Sequence, residues 1–484
     1  MKNSKETHRP QTTSYKGCSQ EIRLEAGSNE KVQSVSTALE NRRNGENACA
    51  SNLMEKILTM ANMNMAYKKV VRNKGKHGID GMSVDELLPY LKEHGSQLRK
   101  DLLEGKYKPK SVRRVEIPKT DGGVRLLGIP TVIDRMVQQA IAQVLTSIFE
   151  PIFSDNSYGF RPNRNAHQAI RTSQGHMNDG CTWVVDIDLE EYFDTVNHDK
   201  LMVLVAREIK DKKVLKLIRA YLNSGVMING VVVDTDRGCP QGGPLSPLLS
   251  NIMLNELDKE LEKRNHKFCR YADDNQLYVK SRKAAQRVIK SITEFIEGKL
   301  KLKVNRIKSA IGRPWDRKFL GYSFYRINKQ IRIRIHPKSI KRVKEKIRFI
   351  TSRSNAWSMQ FRYLKLRQLI TGWVSYFRIA DMKGVANTLD KWTRRRIRMC
   401  YWKQWKKIKT KHDNLVKLGI DNYKAWEFAN TRKGYWRISN SPILARTFTN
   451  KLFNRLGYLS FTERYAQVTN SWRTAVYRTV RTVV

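Results

Sequence analysis

The chain is 484 residues long and carries 92 Lys and Arg against 45 Asp and Glu, a formal net charge of +47. At ~150 residues per domain this length allows roughly three domains. A hydrophobic content of 40% is enough for true cores and excludes wholesale disorder. A charge this large repels itself unless a polyanion offsets it, so nucleic acid is the first partner implied and an anionic membrane the second.

The charge is uneven. Residues 1–298 hold 46 basic and 37 acidic side chains, whereas residues 299–484 hold 46 and 8. Basic charge spread over 186 residues is not the single amphipathic helix of a membrane binder. No apolar run approaches the ~18 residues of a membrane span, and the N-terminus lacks the apolar core of a secretory signal. Residues 151–200 reverse the trend with 4 basic and 8 acidic side chains, an acidic island in which to look for metal-binding carboxylates. Cys18, Cys49, Cys181, Cys239, Cys269 and Cys400 include no C-x-x-C pair. They read as free thiols in a reducing cytoplasm, not as a zinc or redox site.

Residues 1–48 are polar and read as a mobile leader. Leu53, Ile57, Met60 and Asn64 open a helical pattern. Val112–Ile117 and Val124–Ile129 flank a Lys-Thr-Asp-Gly-Gly turn and predict a β-hairpin. A long helix follows near Val132–Phe149. Thr182–Ile187 predicts a buried strand ending in carboxylates, and His198–Ala220 predicts a helix. Gly238–Asn255 reads as a Gly/Pro loop running into an apolar helix. Phe268–Val279 predicts two strands around an Asp-Asp tip, and Lys283–Leu300 a further helix. Strands return at Phe319–Ile335, where Ile331, Ile333 and Ile335 alternate with Arg332 and Arg334 to make one apolar and one basic face. After Pro337 the pattern is helical, with Ile340, Val343, Ile347 and Ile350 in one stripe.

Asp188 follows a predicted buried strand, and Asp273 and Asp274 sit at a predicted hairpin tip. Three carboxylates on adjacent strand ends can hold two divalent cations, and oxygen-only ligation favours Mg²⁺, with Mn²⁺ as a substitute. Such a pair of metals activates a primer 3′-hydroxyl and neutralises a triphosphate, which is nucleotidyl transfer. Taken alone, Asp273-Asp274 reads equally as turn chemistry. The ordered series of Asp186-x-Asp188, Tyr192-Phe193-Asp194, Pro240-Gln241-Gly242-Gly243, Tyr271-Ala272-Asp273-Asp274 and Phe319-Leu320-Gly321-Tyr322 points to the catalytic reading.

These motifs, with SYGFRPNR (Ser157–Arg164), VDIDLEEYFDTVNHDKL (Val185–Leu201) and PQGGPLSPLLSNIMLNELD (Pro240–Asp258), resemble those of reverse transcriptases encoded by bacterial group II introns. The likeness runs from about Asn52 to the end and is strongest to the class C subgroup, which lacks an endonuclease module. It implies an α+β right-hand polymerase: fingers and palm with an antiparallel sheet over 49–335, an α-helical thumb/maturase domain over 336–412, and a small basic DNA-binding domain over 413–484. By the same resemblance Asp188, Asp273 and Asp274 ligate the metals, with the Ile187 carbonyl assisting. Asp188 is preferred to Asp186 because it stands five residues before Phe193, the family spacing. Phe193 falls where an aromatic ring crowds the sugar 2′ position.

The resemblance further assigns Lys119 and Arg125 to the incoming triphosphate, Gln241 to the templating pair and Lys308 to the departing pyrophosphate. Arg161 and Arg164 become template or finger contacts, and Tyr271, Phe319, Leu320 and Gly321 primer contacts. One departure from the family pattern is Asn275-Gln276, where apolar residues usually follow the Asp pair. Strand alternation predicts that one of them faces the core and the other solvent or nucleic acid.

Nine of the ten Trp lie at or after Trp315, interleaved with basic residues as in Trp392–His412. Aromatic stacking plus phosphate neutralisation builds sequence-tolerant nucleic-acid surfaces, although most individual Trp read as core. The implied protein is an RNA-directed DNA polymerase and maturase that binds intron RNA, an RNA template, DNA primer and target, and dNTPs. It would be cytoplasmic and nucleoprotein-associated, and a homodimer is compatible. A polymerase domesticated for repair or defence, and a splicing-only RNA-binding cofactor, are the alternatives.

Overall fold

The computed structural model describes residues 52–118, 123–228, 231–233, 237–238 and 242–470. The leader 1–48, Lys119, Gln241, Cys18, Cys49, Cys239 and Trp472 lie outside the described residues. The architecture is α+β, with sheets in the first part and helices alone after Ile335.

Four strands form the central sheet: β3 (Trp183–Ile187), β6 (Lys267–Tyr271), β7 (Asp274–Val279) and β8 (Ala310–Gly312), in the antiparallel order β6-β7-β3-β8. Alternation sends Val185, Ile187, Phe268 and Leu277 into one apolar cluster and Val184, Cys269 and Tyr278 into another. Both faces of the sheet are therefore covered, and its strands read as near-continuous apolar runs.

The helices are α1 (Leu53–Ile57), α2 (Met60–Asn73), α3 (Leu87–Glu104), α4 (Val132–Phe149), α5 (Ala166–Asn178), α6 (Tyr192–Thr195), α7 (His198–Glu208), α8 (Lys212–Leu222), α9 (Ser246–Lys263) and α10 (Arg282–Phe295); all but α5 contribute to the first cluster, and α5 packs into the second. Helix α4 keeps its predicted bounds. Thr131 caps it, its Oγ1 accepting from the Asp134 amide at 3.1 Å. Predicted helix 198–220 is instead two helices. The chain breaks at Asp211, which caps α8 by accepting from the amides of Lys213 and Val214 and also accepts from the Met54 amide at 2.9 Å.

A second sheet has the order β2-β1-β4-β5, from β1 (Val112–Pro118), β2 (Val124–Ile129), β4 (Val226–Ile228) and β5 (Val231–Val233). The predicted hairpin is its β1–β2 pair, and β4 joins β1 in parallel.

Strands β9 (Tyr322–Ile327) and β10 (Gln330–Ile335) form a separate hairpin that buries Ile331, Ile333 and Ile335 and exposes Arg332 and Arg334, as alternation predicts. The remaining helices are α11 (Pro337–Ile350), α12 (Met359–Phe377), α13 (Lys383–Gln404), α14 (Ile408–Lys417), α15 (Asn422–Ala429), α16 (Tyr435–Ile438), α17 (Pro442–Thr447) and α18 (Asn450–Arg455), with residues 461–470 also helical. One apolar cluster joins Val343 in α11 to Phe453 and Phe461 and continues into the palm at Tyr158 and Tyr278. Asp390 of α13, 1% exposed, ties in the chain end by accepting from the Tyr458 hydroxyl and the amides of Phe461 and Thr462 at 2.8–2.9 Å.

Candidate active site

Asp186 and Asp274 project from the same face of the central sheet, and Asp188, one residue past β3, lies near enough for its charge to act on both. Asp186 is cross-strand from Gln276, and Asp274 lies two residues before Gln276 on β7. Lost solvation, then Asp188, push the Asp186 carboxyl up to about 6, while a hydrogen bond from Gln276 and the charges of Arg317 and Lys318 pull it down. The Asp274 carboxyl is pushed up to about 7 by lost solvation and then by Asp273, Asp186 and Asp188. Lys318 opposes this shift.

The donor set is all oxygen and carries an excess of negative charge that a hard cation would relieve, so the residues fit a divalent metal. Among the described residues, no three His, Cys, Asp or Glu side chains already converge on a single ion position.

The Asp-Asp turn is held from beneath. Arg270, fully buried, donates to Asp258 on α9 at 2.5–3.0 Å, to Asn251 Oδ1 at 3.0 Å and to the Ala272 carbonyl at 3.0 Å. Ala272 is left-handed (φ 57°), which opens the turn. Asn251 also donates to the Gly159 carbonyl at 2.8 Å. The SYGF segment runs beside β6, with the Tyr158 amide donating to the Arg270 carbonyl at 2.9 Å. A Cβ at Gly159 would stand 2.2 Å from the Ala272 nitrogen, so only glycine allows that approach. Three motifs distant in sequence therefore meet at one turn.

Asp188 is stitched to the segment carrying Lys308. Its amide donates to Ser309 Oγ at 3.0 Å, and its carbonyl accepts from the Asn305 amide at 2.9 Å. The Lys308 side chain is exposed beside that seam. Phe193 is half-buried, edge-on to Tyr192 with ring centroids 5.2 Å apart. Arg125 is exposed on β2. Gly242, at φ 127°, lies so near β2 that a Cβ would meet the Gly128 carbonyl at 2.3 Å, seating that glycine against the fingers hairpin. Ile187 is buried at the end of β3, cross-strand from Asn275.

The Phe319–Tyr322 motif is a tight turn with φ 50° at Leu320 and φ 85° at Gly321, closed by reciprocal backbone bonds between Phe319 and Tyr322. It is seated on the helical part. Ser339 Oγ donates to the Gly321 carbonyl at 2.8 Å, the Tyr376 hydroxyl donates to the Leu320 carbonyl at 2.8 Å, and the Tyr322 hydroxyl donates to the Tyr376 carbonyl.

Several predicted site residues sit in surroundings that the sequence did not show. Arg161 is 7% exposed, ion-paired with Glu150 at 2.9 Å, and donates to the Ser154 and Ser157 carbonyls. These bonds tie the SYGF loop together. Arg164 keeps a partly exposed guanidinium paired with Asp155 at 2.5 Å. Phe319 is 2% exposed and anchors its turn from within, whereas Leu320 and Tyr271 are half-buried. Asn275 and Gln276 are both buried, at 2% and 1%, because both faces of the sheet are covered. Sequence reasoning missed Arg270, Ser309, Lys318 and Tyr376. Only Arg270 and Lys318, which flank recognised motifs, carried any signal.

Residues 117–324 match the family model described as reverse transcriptase (RNA-dependent DNA polymerase), and residues 340–419 match the group II intron maturase-specific domain. Protein YkfC of Escherichia coli (strain K12) is 38% identical over 302 residues, covering 54% of this chain and 79% of that protein. The chain belongs to the group II intron-encoded reverse transcriptase/maturase family. Group II intron-encoded protein LtrA of Lactococcus lactis subsp. cremoris is 39% identical over 207 residues, 43% of this chain and 34% of LtrA. Putative COX1/OXI3 intron 2 protein of Saccharomyces cerevisiae is 34% identical over 230 residues, 47% of this chain and 26% of that protein. The chain therefore matches only about a third or less of those two relatives. As a member of this reverse transcriptase/maturase family, it carries its carboxylates within the polymerase match, and the maturase match runs from within α11 to just past α14. Among the described residues no helix is long and apolar enough to cross a membrane.

Proposed function

We propose that the protein is an RNA-directed DNA polymerase working by a two-metal mechanism, and that it binds its own group II intron RNA to promote splicing and retrohoming. The observation that carries the reading is the gathering of Asp188 and Asp273 close enough to Asp274 for both charges to act on its carboxyl at the end of the palm sheet. Mg²⁺ ions held by Asp188, Asp273 and Asp274, with the Ile187 carbonyl as a further oxygen, would supply activation of the primer hydroxyl and neutralisation of the triphosphate.

The chain's own residues do the positioning. Arg125 and Lys119 grip the triphosphate from the fingers, Gln241 lies against the templating pair, and Phe193 crowds the sugar 2′ position. As the primer 3′-oxygen bonds to the α-phosphorus and the bond to pyrophosphate breaks, Lys308 gives a proton to the leaving oxygen. Tyr271, Leu320 and Gly321 hold the primer end, and Arg164 lies toward the template. Fingers and palm comprise residues 49–335, the thumb/maturase residues 336–412 and the DNA-binding segment residues 413–484. The protein works in the cytoplasm as a nucleoprotein.

The test is splicing of the intron RNA that flanks the gene. Wild type and the Asp273→Ala/Asp274→Ala variant should stimulate splicing equally, while only wild type copies the RNA into DNA. No stimulation by either protein would refute the maturase half of the proposal.

A further inference from the structure

Between α11, α13 and α16 lies an open groove of about 500 Å³, well inside the ~300–1,000 Å³ range of small-ligand sites. Arg348, Arg353 and Arg396 line it together with the indoles of Trp392 and Trp436. The arginines stand close to the rings. Arg348 and Arg396 are 5.6 and 5.4 Å from the Trp392 centroid, and Arg395 is 3.9 Å from that of Trp436. Arg396 is fixed in place, donating to Thr351 Oγ1 at 2.6 Å and to the Arg348 and Thr351 carbonyls at 3.2–3.3 Å. Arg395 donates to the Trp436 carbonyl at 3.0 Å, fixing the far wall. Trp436 nevertheless stays 39% exposed.

What is missing is a counter-charge. Arg332, Arg306 and Arg264 each pair with a carboxylate elsewhere in the fold. None of Arg348, Arg353 and Arg396 has an acidic partner among the described residues. Burial and the charges of Arg348 and Arg353 lower the pKa of Arg396, as expected where like charges are held together. Guanidinium groups gathered around two indoles, with no carboxylate, complement a ligand that is anionic on one side and flat and aromatic on the other. A nucleotide is both. In a duplex its base faces are already covered by stacking, so the nucleotide must be unpaired.

We infer that this groove takes one unpaired nucleotide of a single-stranded nucleic acid, its base stacked against the Trp392 and Trp436 indoles and its phosphates held by Arg348, Arg353 and Arg396. The inference deepens the RNA-binding reading above and rests on it. It adds a base-stacking subsite remote from the carboxylates.

The test uses the full-length protein and a short single-stranded RNA carrying 2-aminopurine, whose fluorescence reports stacking. Wild type should quench it. Trp436→Ala should weaken binding between about fivefold and a hundredfold, the range of a single base–aromatic stack. Trp436→Phe should restore most of the affinity, which a merely charged patch would not require. Arg353→Glu, on an exposed side chain, reads the same groove without removing a ring should Trp436→Ala fail to fold. A DNA strand of the same sequence separates the sources: quenching by both nucleic acids assigns the groove to any single strand, and quenching by RNA alone assigns it to intron or template RNA. Affinity unchanged in Trp436→Ala, no recovery with Phe, or equally tight competition by duplex RNA would each overturn the inference. Primer extension by the wild type is scored separately, so failure of the polymerase proposal leaves this readout intact.

Discussion

Behind the Asp273–Asp274 tip, Asn275 buries an amide whose oxygen and nitrogen both lack a hydrogen-bond partner among the described residues. It lies cross-strand from Ile187 and two residues before Leu277, on the face that fills the first apolar cluster. An unsatisfied buried amide costs ~1–3 kcal/mol, and an apolar group of similar shape carries no such cost. Asn275→Leu should therefore raise the urea midpoint by the equivalent of ~1–3 kcal/mol. A lowered midpoint would mean that the amide has a partner. Its neighbour Asp274 carries the opposite kind of strain. With its carboxyl raised from an ordinary 3.8 to about 7, the folded state binds more protons than the unfolded chain between those values, so stability falls as pH rises through that window. In EDTA, Asp274→Asn should melt higher than wild type at pH 8, and the gap should close toward pH 4. A difference independent of pH would contradict the placement of Asp274 among like charges.

At the scale of elements, the site depends on close backbone approaches. Gly159→Ala would force SYGF away from Ala272 and shift the Asp-Asp turn. It should lower both the melting temperature and primer extension, whereas an alanine at Gly95, where a Cβ meets nothing within 4 Å, should leave extension intact. Equal extension by the two variants would refute the coupling. Much of this level was legible in the sequence. A short apolar run predicted β3, the Asp-Asp tip its hairpin, alternation β10, and apolar residues at helical spacing α4. The β4–β5 hairpin was missed despite Asn229-Gly230 between β-branched residues, a strong turn signal. The break at Asp211 was missed because the capping signal lay inside an otherwise helical apolar pattern. Burial of both Asn275 and Gln276 could not be read, since it depends on helices covering both faces of the sheet. The burial of Arg161 likewise depends on Glu150, which becomes its neighbour only in the fold.

The whole molecule explains the division of charge met at the outset. The palm collects acid around the proposed metal site, and the helical part after Ile335 collects arginine and lysine around a core shared with the palm. The Phe319–Tyr322 turn, through Ser339 and Tyr376, is the seam between the two. In the proposed polymerase that seam would let one part hold the primer while the carboxylates of the other act on its end. The most direct measurement is primer extension by the full-length protein on an RNA template with dNTPs and Mg²⁺. Wild type should make full-length DNA that is lost on chelation, and Asp273→Ala/Asp274→Ala should make none. Extension by that variant equal to wild type, or none by wild type at any Mg²⁺ concentration, would contradict the account.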